Sequence, residues 1–356
     1  MNFLYCNPTV FVINDCYEIL LLSKENGIFS VIIDGQYYYE ENNGVLSSEK
    51  NYAKIRIPQK VLDKAKKYTV SFAKTINRKA YYSEIAEPLL KEYSFKPLNK
   101  TNDINIYHIA DVHYRFEIAK KTVEYFDNDL DLYVINGDIG EVETLHNYYD
   151  VIKFVGDISK GYIPVIFVRG NHDTRGKLAE LFTDFFPANN KDTYYWFTIG
   201  NLNGIVLDCG EDKLDYHIEY GGVNIFEQFR KRETAFLKSL KPSDKFTFAI
   251  SHICPLHTTK NKGDVFDIEK DTYTFWNEEL SRLNIKFMLT AHMHKTYILN
   301  KTCELSTIPH EYPVIVGSAC YDNDIWGTAL TIKDNNIVVK FTDSNKVVKE
   351  ETIIEY

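Results

Sequence analysis

Ligand-type side chains directly follow five apolar segments of this sequence. Each segment is a short run rich in Ile, Val, Leu and Phe, and each is followed by aspartate, histidine or asparagine. The residues concerned are Asp111, His113, Asp138, Asn171, His252, His292 and His294. Carboxylate, imidazole and amide groups are hard to borderline ligands, which suit Mn, Fe, Zn, Ni or Mg better than copper(I). The pattern predicts a metal site without cysteine, so a structural zinc site is disfavoured.

The number of these side chains indicates how many ions the site holds. Two metal ions roughly 3.5–4 Å apart need a bridging carboxylate and about three further ligands each. The seven residues are enough for two centres that share one aspartate. A single centre would leave three polar groups without a purpose. We therefore expect two divalent or transition metal ions, with Mn, Fe, Zn or Ni as the candidates.

The elements that must position these groups are the apolar segments themselves, which read as buried parallel strands. Ile163–Val168, for example, ends at Arg169-Gly170 and is followed by Asn171, His172 and Asp173. Gly170 permits a tight turn at the end of a strand. In open α/β sheets, ligands bind at the carboxyl ends of the strands, so these turns are expected to meet at one edge.

Helical patterns separate the apolar segments, as strand–helix–strand units require. Phe226, Phe229, Phe236 and Leu237 are spaced so that one face of a helix is apolar. The predicted helices are 116–128, 142–155, 178–186, 226–240 and 272–283. Antiparallel-looking strands follow near 313–316, 328–332 and 337–341.

The first part of the chain has a different pattern. Short strand-like runs are separated by the hairpin signals Asn26-Gly27 and Asp34-Gly35. This pattern favours a small all-β sandwich of fibronectin or immunoglobulin type. We place it at residues 1–98, followed by a catalytic domain at 99–356. Because no histidine precedes His108, the β-rich part is expected to serve packing or recognition and to contribute nothing to the chemical step.

Composition excludes several other classes of protein. The 356 residues are 44% hydrophobic and 26% charged, with a net charge of −9; this is typical of a folded chain with a sizeable core. The acidic balance gives no attraction to nucleic acid or to anionic membranes. The six cysteines are scattered and read as buried thiols. With neither a signal peptide nor an apolar run long enough to span a membrane, a cytoplasmic location is expected.

The order of the motifs resembles the calcineurin-like metallophosphoesterase superfamily. The matching blocks are Asp111-x-His113, Gly137-Asp138, Gly170-Asn171-His172-Asp173, His252 and His292-x-His294. The resemblance runs from Ile104 to the C-terminus. It implies a four-layer α/β/β/α sandwich with a dinuclear site at one edge of its two sheets. The fold class is therefore α/β, preceded by the small all-β sandwich.

The resemblance also implies roles for the individual metal ligands. Asp138 would bridge two metals, with Asp111, His113 and His294 at one and Asn171, His252 and His292 at the other.

The same resemblance makes His172 a residue outside the metal ligands that meets the substrate phosphate or the leaving group. Asp173 would orient His172, as carboxylates often do for an imidazole. Arg169 and Arg175 flank the motif. A guanidinium can pair with phosphate through two hydrogen bonds, although a surface salt bridge is the alternative for each; Arg175 is the preferred candidate for substrate binding.

Two positions depart from the family pattern. Ala291 stands where the last block usually has glycine, which is acceptable if its φ is negative. A β-sandwich before the catalytic domain resembles purple acid phosphatases, which carry a tyrosine three residues after the second-block aspartate. Glu141 occupies that position. We therefore expect no iron–tyrosinate chromophore, and a closer likeness to the bacterial phosphodiesterase-type branch.

The function expected from this reasoning is hydrolysis of a small phosphomonoester or phosphodiester, in which a metal-bridging hydroxide attacks phosphorus. A nuclease of the same fold is the first alternative, and the acidic composition disfavours it. The second is a binding protein with a vestigial phosphatase site, which the complete ligand set disfavours. The substrate itself, the choice between monoester and diester, and the oligomeric state are not encoded in these motifs.

Overall fold

The computed structural model describes residues 3–256, 264–301 and 307–356. In chain order its strands are β1 Thr9–Ile13, β2 Cys16–Leu22, β3 Gly27–Ile33, β4 Gln36–Tyr38, β5 Tyr52–Pro58, β6 Lys67–Arg78, β7 Ser83–Ile85, β8 Leu89–Ser94, β9 Ile104–Ile109, β10 Leu132–Asn136, β11 Val165–Val168, β12 Tyr195–Ile199, β13 Leu202–Leu207, β14 Phe246–Ser251, β15 Met288–Thr290, β16 Tyr297–Leu299, β17 Val314–Val316, β18 Ala319–Tyr321, β19 Asp324–Ile332, β20 Asn336–Thr342 and β21 Val348–Glu355. The α-helices are α1 Gln59–Ala65, α2 Phe116–Thr122, α3 Leu145–Ser159, α4 Phe182–Phe185, α5 Phe226–Ser239 and α6 Lys270–Arg282.

Two sheets form the centre of the molecule. The first has the order β21-β20-β19-β9-β10-β11-β1-β2-β5, with β18 also paired to β19. The second has the order β12-β13-β14-β15-β17-β16. β9, β10 and β11 are parallel to each other, and so are β13, β14, β15 and β17. The predicted strands that precede the ligand-type residues are therefore the central parallel strands of these two sheets.

The apolar runs are continuous because both faces of the central strands are covered. In β10, for example, Val134 contributes to the core between the two sheets, which also contains Phe248 of the second sheet. Its neighbour Ile135 packs on the other face, in the core that includes Val151 of α3. On the far side of the second sheet, Trp276 of α6 packs in a third core. The layers are thus helix, sheet, sheet and helix, which confirms the predicted fold class.

The N-terminal strands form a sandwich-like pair of layers, but one of these layers is shared with the rest of the chain. The separate sheet has the order β4-β3-β6-β7, with β8 also paired to β6. Its residues Val31 and Val70 pack in the same core as Ile55 of β5. β5, β2 and β1 extend the first central sheet, and Phe11 of β1 lies opposite Val165 of β11 in a parallel pair. Hydrogen bonding therefore crosses the boundary predicted at residue 98.

This shared sheet gives a prediction about truncation. A fragment that starts at Thr101 lacks β1, so β11 becomes an edge strand although all of its residues are buried in the complete chain. Unpaired, apolar edge strands promote aggregation. We expect the fragment to be insoluble or unfolded, as judged by its soluble yield and by circular dichroism. A soluble fragment with a cooperative thermal transition would contradict this, and would show that the catalytic layers fold alone.

No helix in the described ranges is long and apolar enough to cross a membrane. The described cysteines, Cys6, Cys16, Cys209, Cys254 and Cys320, are free thiols, as predicted, but only Cys6 and Cys209 are buried and the other three are partly exposed.

Candidate metal centre

The site lies where the carboxyl ends of the parallel strands from both sheets meet. Asp111, Asp138 and Asn171 follow β9, β10 and β11 of the first sheet. The histidines follow strands of the second sheet: His252 comes after β14, and His292 and His294 come after β15. The two strand ends are joined directly, because the Asn136 amide donates to the Ser251 carbonyl at 3.2 Å. Two sheets therefore contribute to one cluster.

The ligand-type atoms fall into two groups. In each group the candidate ligand atoms lie within 4.8 Å of one another. One group contains Asp111, His113 and His294, and the other contains Asp138, His252 and His292. The groups are adjacent, since Nε2 of His252 lies 3.2 Å from Oδ2 of Asp138 and 3.8 Å from Oδ1 of Asp111. The structure brings together the residues that the sequence predicted as ligands.

The backbone at these positions is unusual. Asp111, His113, Asp138, His292 and His294 all have positive φ, between 44° and 68°. Residues other than glycine seldom adopt this region, although aspartate and histidine do so more often than most. Strained conformations of this kind cluster at functional sites, and each costs on the order of 1–3 kcal/mol. The tight turns point successive side chains into the cluster, which a regular strand would not do.

Several buried ligand-type atoms have no hydrogen-bond partner among the described residues. These include Oδ1 of Asp111 and Nε2 of His113. The nearest imidazole nitrogen to Oδ1 of Asp111 belongs to His294, at 3.4 Å, in a geometry that makes no hydrogen bond. Buried polar groups are normally satisfied, because leaving one unpaired costs roughly 1–3 kcal/mol. A cation between these atoms would satisfy them, so the donor set fits a metal.

The Asn171 amide supports the same conclusion for the second group. Its Oδ1 lies 3.0 Å from Nδ1 of His292 and also faces Oδ2 of Asp138 at 3.3 Å. Two oxygens at this distance repel each other unless a cation lies between them. Without a cation the opposite amide orientation is favoured, since its nitrogen can then donate to Asp138. Metal binding would hold the oxygen of Asn171 inward.

A backbone carbonyl fixes which nitrogen of the His252 ring carries the proton. Its Nδ1 lies 2.6 Å from the carbonyl oxygen of Asn136, so Nδ1 carries the proton and Nε2 faces the cluster. Burial lowers the pKa of His252, but the carboxylates of Asp138 and Asp111 outweigh burial and raise it. For Asp138, burial alone would raise the pKa. The His252 imidazole has the larger effect and holds the pKa of Asp138 well below its usual range. A metal ion would replace the proton on Nε2.

Two glycines allow the loops of the first sheet to approach closely. Gly137 has a φ of 81°, and a Cβ at this position would overlap the backbone of Gly170. A Cβ on Gly170 would in turn overlap the backbone nitrogen of Asp138. Any larger residue at either position would therefore separate Asp138 from Asn171.

His172 lies beside the two ligand groups without belonging to either. Its backbone N–H donates to Oδ1 of Asp138 at 2.9 Å, and its Nε2 lies 4.0 Å from Oδ2 of that residue. The ring packs edge-on against His113, with centroids 5.0 Å apart. Because 36% of the His172 side chain is exposed, its imidazole can reach a substrate that approaches from solvent.

The role expected for Asp173 needs correction. Its Oδ2 accepts the backbone N–H groups of Gly170 at 2.8 Å and Asp138 at 3.1 Å. The carboxylate therefore connects the turns after β10 and β11, instead of orienting the His172 ring. Burial, followed by the nearby Asp138 charge, raises the pKa of Asp173. The Asp173 carboxylate thus supports the position of Asp138.

Arg175 makes a salt bridge with a buried carboxylate. Its Nε and Nη2 donate to the two carboxylate oxygens of Glu211 at 2.6 and 2.7 Å. Glu211 is fully buried, so this is a charge-assisted pair that links the turn after β11 to the loop after β13. Since 36% of the Arg175 side chain is exposed, its role in substrate binding stays a prediction.

Arg169 is a structural residue, in line with the salt-bridge alternative. Its Nε donates to Asp208 at 2.7 Å, and its guanidinium lies over the rings of Phe182, Phe226 and Phe229.

The acidic segment after β13 also borders the cluster. Oδ2 of Asp212 lies 3.6 Å from Nε2 of His292, on the side of the ring opposite Nδ1. This distance is too long for a hydrogen bond, so the carboxylate acts on the imidazole through its charge. The signal in the sequence is an acidic run after the apolar residues of β13, but its partners Arg175 and His292 are distant in sequence.

The two departures from the family pattern are local. Ala291 is buried and has a negative φ, so its methyl group is compatible with the turn before His292. Glu141 has an exposed side chain, and its carbonyl oxygen accepts the Tyr114 hydroxyl at 2.8 Å.

The sequence of the two-sheet region decides the family. The calcineurin-like phosphoesterase profile matches residues 104–296, which contain all seven ligand-type residues. The chain belongs to the calcineurin-like phosphoesterase family. No curated protein shows significant similarity to the chain.

Solved structures share the architecture of this calcineurin-like phosphoesterase. Purple acid phosphatase PPD1 from yellow lupin (Lupinus luteus) seeds superposes with a TM-score of 0.63 and 12% identity, over 99% of this chain and 74% of that chain. The structure of PhoD gives a TM-score of 0.55 and 11% identity, over 98% of this chain and 88% of that chain. At these identities the likeness shows the fold, and it extends over the N-terminal strands.

Family membership makes the protein a metal-binding hydrolase of phosphoester bonds. The two groups of candidate ligands account for a dinuclear centre of the kind that the family implies.

Proposed function

We propose that this calcineurin-like phosphoesterase hydrolyses a small phosphomonoester or phosphodiester. The observation that carries the proposal is the pair of adjacent ligand groups at the facing ends of two sheets. Asp111, His113 and His294 would hold one ion. Asn171, His252 and His292 would hold the other, with Asp138 shared between them. The reaction adds one water at phosphorus and releases the alcohol.

The two metals, Mn, Fe, Zn or Ni, would supply charge neutralisation for the phosphate oxygens and activation of the attacking water. The other roles in the reaction belong to side chains of the protein. His172 is placed to give a proton to the departing alkoxide or to hydrogen-bond a phosphate oxygen. Asp173 keeps the turns after β10 and β11 together through Gly170 and Asp138, and the Asp212 carboxylate lies 3.6 Å from Nε2 of His292.

A small substrate is favoured over nucleic acid by the charges of the chain and its site. The net charge is −9, and the Asp212 carboxylate lies 3.6 Å from Nε2 of His292 in the cluster. Nucleic-acid binding draws most of its affinity from cationic contacts with phosphates. The cytoplasm remains the predicted location.

Metal content and substrate preference test the proposal together. We expect the purified protein to take up close to two transition-metal ions per chain, and chelation to abolish hydrolysis. The assay should compare phosphomonoesters, phosphodiesters and single-stranded nucleic acid, with each metal supplied in turn. One tightly held ion per chain would contradict the dinuclear centre. Absence of hydrolysis with every metal would favour the vestigial-site alternative, and activity confined to nucleic acid would favour a nuclease.

A further inference from the structure

An apolar cavity adjoins the candidate metal centre. Its volume is about 350 Å³, near the lower limit for cavities that bind small molecules. Its walls come from the loops after β14 and β15 and from strands of the second sheet. The apolar lining residues include Ile253, Leu256, Phe266, Ile268, Leu299 and Val316.

The cavity is continuous with the centre through His292. This histidine belongs to the second ligand group, and it also lines the cavity. Asp212 lines the cavity as well, and its carboxylate lies 3.6 Å from Nε2 of His292. A phosphoryl group at the ligand cluster would therefore have the mouth of the cavity within reach of its ester oxygen.

Two carboxylates lie in the described wall of the cavity. They belong to Asp212 and Asp264. Asp212 is held by the Lys213 ammonium and the Tyr220 hydroxyl, each at 3.1 Å. The other described lining residues are mostly apolar, so apolar surface that enters the cavity would gain from leaving water.

The rim is also apolar. Phe266 is 52% exposed, and the Lys213 ammonium lies over its ring, 5.0 Å from the centroid. This contact holds an aromatic face at the entrance that the protein does not bury in its own core. A half-exposed ring at the edge of an apolar cavity can bury further area only against a bound molecule.

We propose that the cavity binds the organic group of the substrate, and that the substrate is a phosphoester of a compact apolar alcohol, alkyl or aryl. This proposal rests on the proposed function and specifies its substrate class. The volume admits an aromatic ring or a chain of several carbons.

A homologous series of esters tests the proposal. The series consists of n-alkyl phosphates from ethyl to octyl, with the matching methyl n-alkyl diesters. Their alcohols have similar acidity, so the chemical step is nearly constant along each series. We expect kcat/KM to rise about fourfold for each methylene that is buried, until the cavity is full.

A pair of neighbouring variants locates the effect. Phe266→Asp places a charge in the wall of the cavity, and we expect it to remove most of the dependence of kcat/KM on chain length. Val265→Asp is the matched control, because Val265 is 51% exposed and is not among the described lining residues. An equal loss of chain-length dependence in both variants would overturn the assignment to this cavity.

A binding measurement separates this proposal from the function on which it rests. Calorimetric titration of 1-hexanol into the metal-loaded protein should show binding with a negative heat-capacity change, weakened roughly tenfold in Phe266→Asp. If the ethyl ester is hydrolysed but kcat/KM does not change along the series, the cavity proposal alone is overturned. Hexanol binding without hydrolysis of any ester would instead overturn the phosphoesterase function and leave an apolar binding site. Absence of hexanol binding by the wild type would count against the cavity.

Discussion

Replacement of Asp138 by alanine is expected to weaken metal binding by at least about 100-fold. Residues that only hold a metal ligand in place, without touching the metal, already contribute 10–100-fold to metal affinity. We expect this loss to exceed that of any other single ligand. Asp138 is the carboxylate that we propose the two ions share, and its Oδ2 lies 3.2 Å from Nε2 of His252. Its removal takes a ligand from both ions, and elemental analysis after dialysis should show less than one ion per chain.

Two further variants separate the loss of a ligand from the loss of structure. Asp138→Asn keeps an oxygen that can accept the His172 N–H but removes the charge, so metal should still be lost. Asp131→Asn removes a buried carboxylate that pairs with Lys96 and Lys100 at the opposite end of β10. We expect Asp131→Asn to retain both ions, although its thermal stability falls. Full metal content in Asp138→Ala would contradict the shared-ligand assignment.

The ligand cluster could be predicted because each of its members stands at a strand end that local sequence reveals. Ile163–Val168 and its counterparts are continuous apolar runs, and a polar residue directly after such a run must lie at the edge of the sheet. The structure places Asp111, Asp138 and Asn171 at that edge of one sheet. What the runs do not encode is that His252 belongs to a second sheet facing the first.

The sheet to which the N-terminal strands belong was harder to predict from the sequence. Short strands were predicted for residues 1–98 and are observed there, but hairpin signals specify only neighbours in sequence. β1 pairs with β11, which lies far along the chain. One signal was present: Val10-Phe11-Val12-Ile13 is apolar without alternation, as expected for a strand covered on both faces.

Side-chain pairing explains why the sequence did not reveal the partners of Asp173 and Arg175. A motif reveals which residues share a turn, and both residues do lie in the turn after β11. It does not reveal which charge from another segment will satisfy them. Glu211 is separated from Arg175 by 36 positions, and its burial makes the pairing obligatory. Asp173 is similarly engaged by two backbone N–H groups, which a pattern of residue types cannot indicate.

The second large effect is expected for His172→Ala, and its size should depend on the leaving group. Loss of a general acid typically costs ~10²–10⁴-fold. An alkoxide needs a proton as it departs, whereas nitrophenolate leaves well without one. We therefore expect a loss on the order of 10²–10⁴-fold on an alkyl phosphoester and a smaller loss on a nitrophenyl ester. Because His172 belongs to neither ligand group, both metal ions should be retained.

The comparison of two esters distinguishes proton donation from phosphate binding. Equal losses on the alkyl and nitrophenyl esters would assign His172 to binding of a phosphate oxygen, since that contact does not depend on the leaving group. His146→Ala is the control for removal of an imidazole, because its side chain is 70% exposed on α3 and should leave both rates unchanged. Metal analysis of His172→Ala completes the experiment: a variant that loses an ion would show that the imidazole, 4.0 Å from Asp138, supports the centre itself.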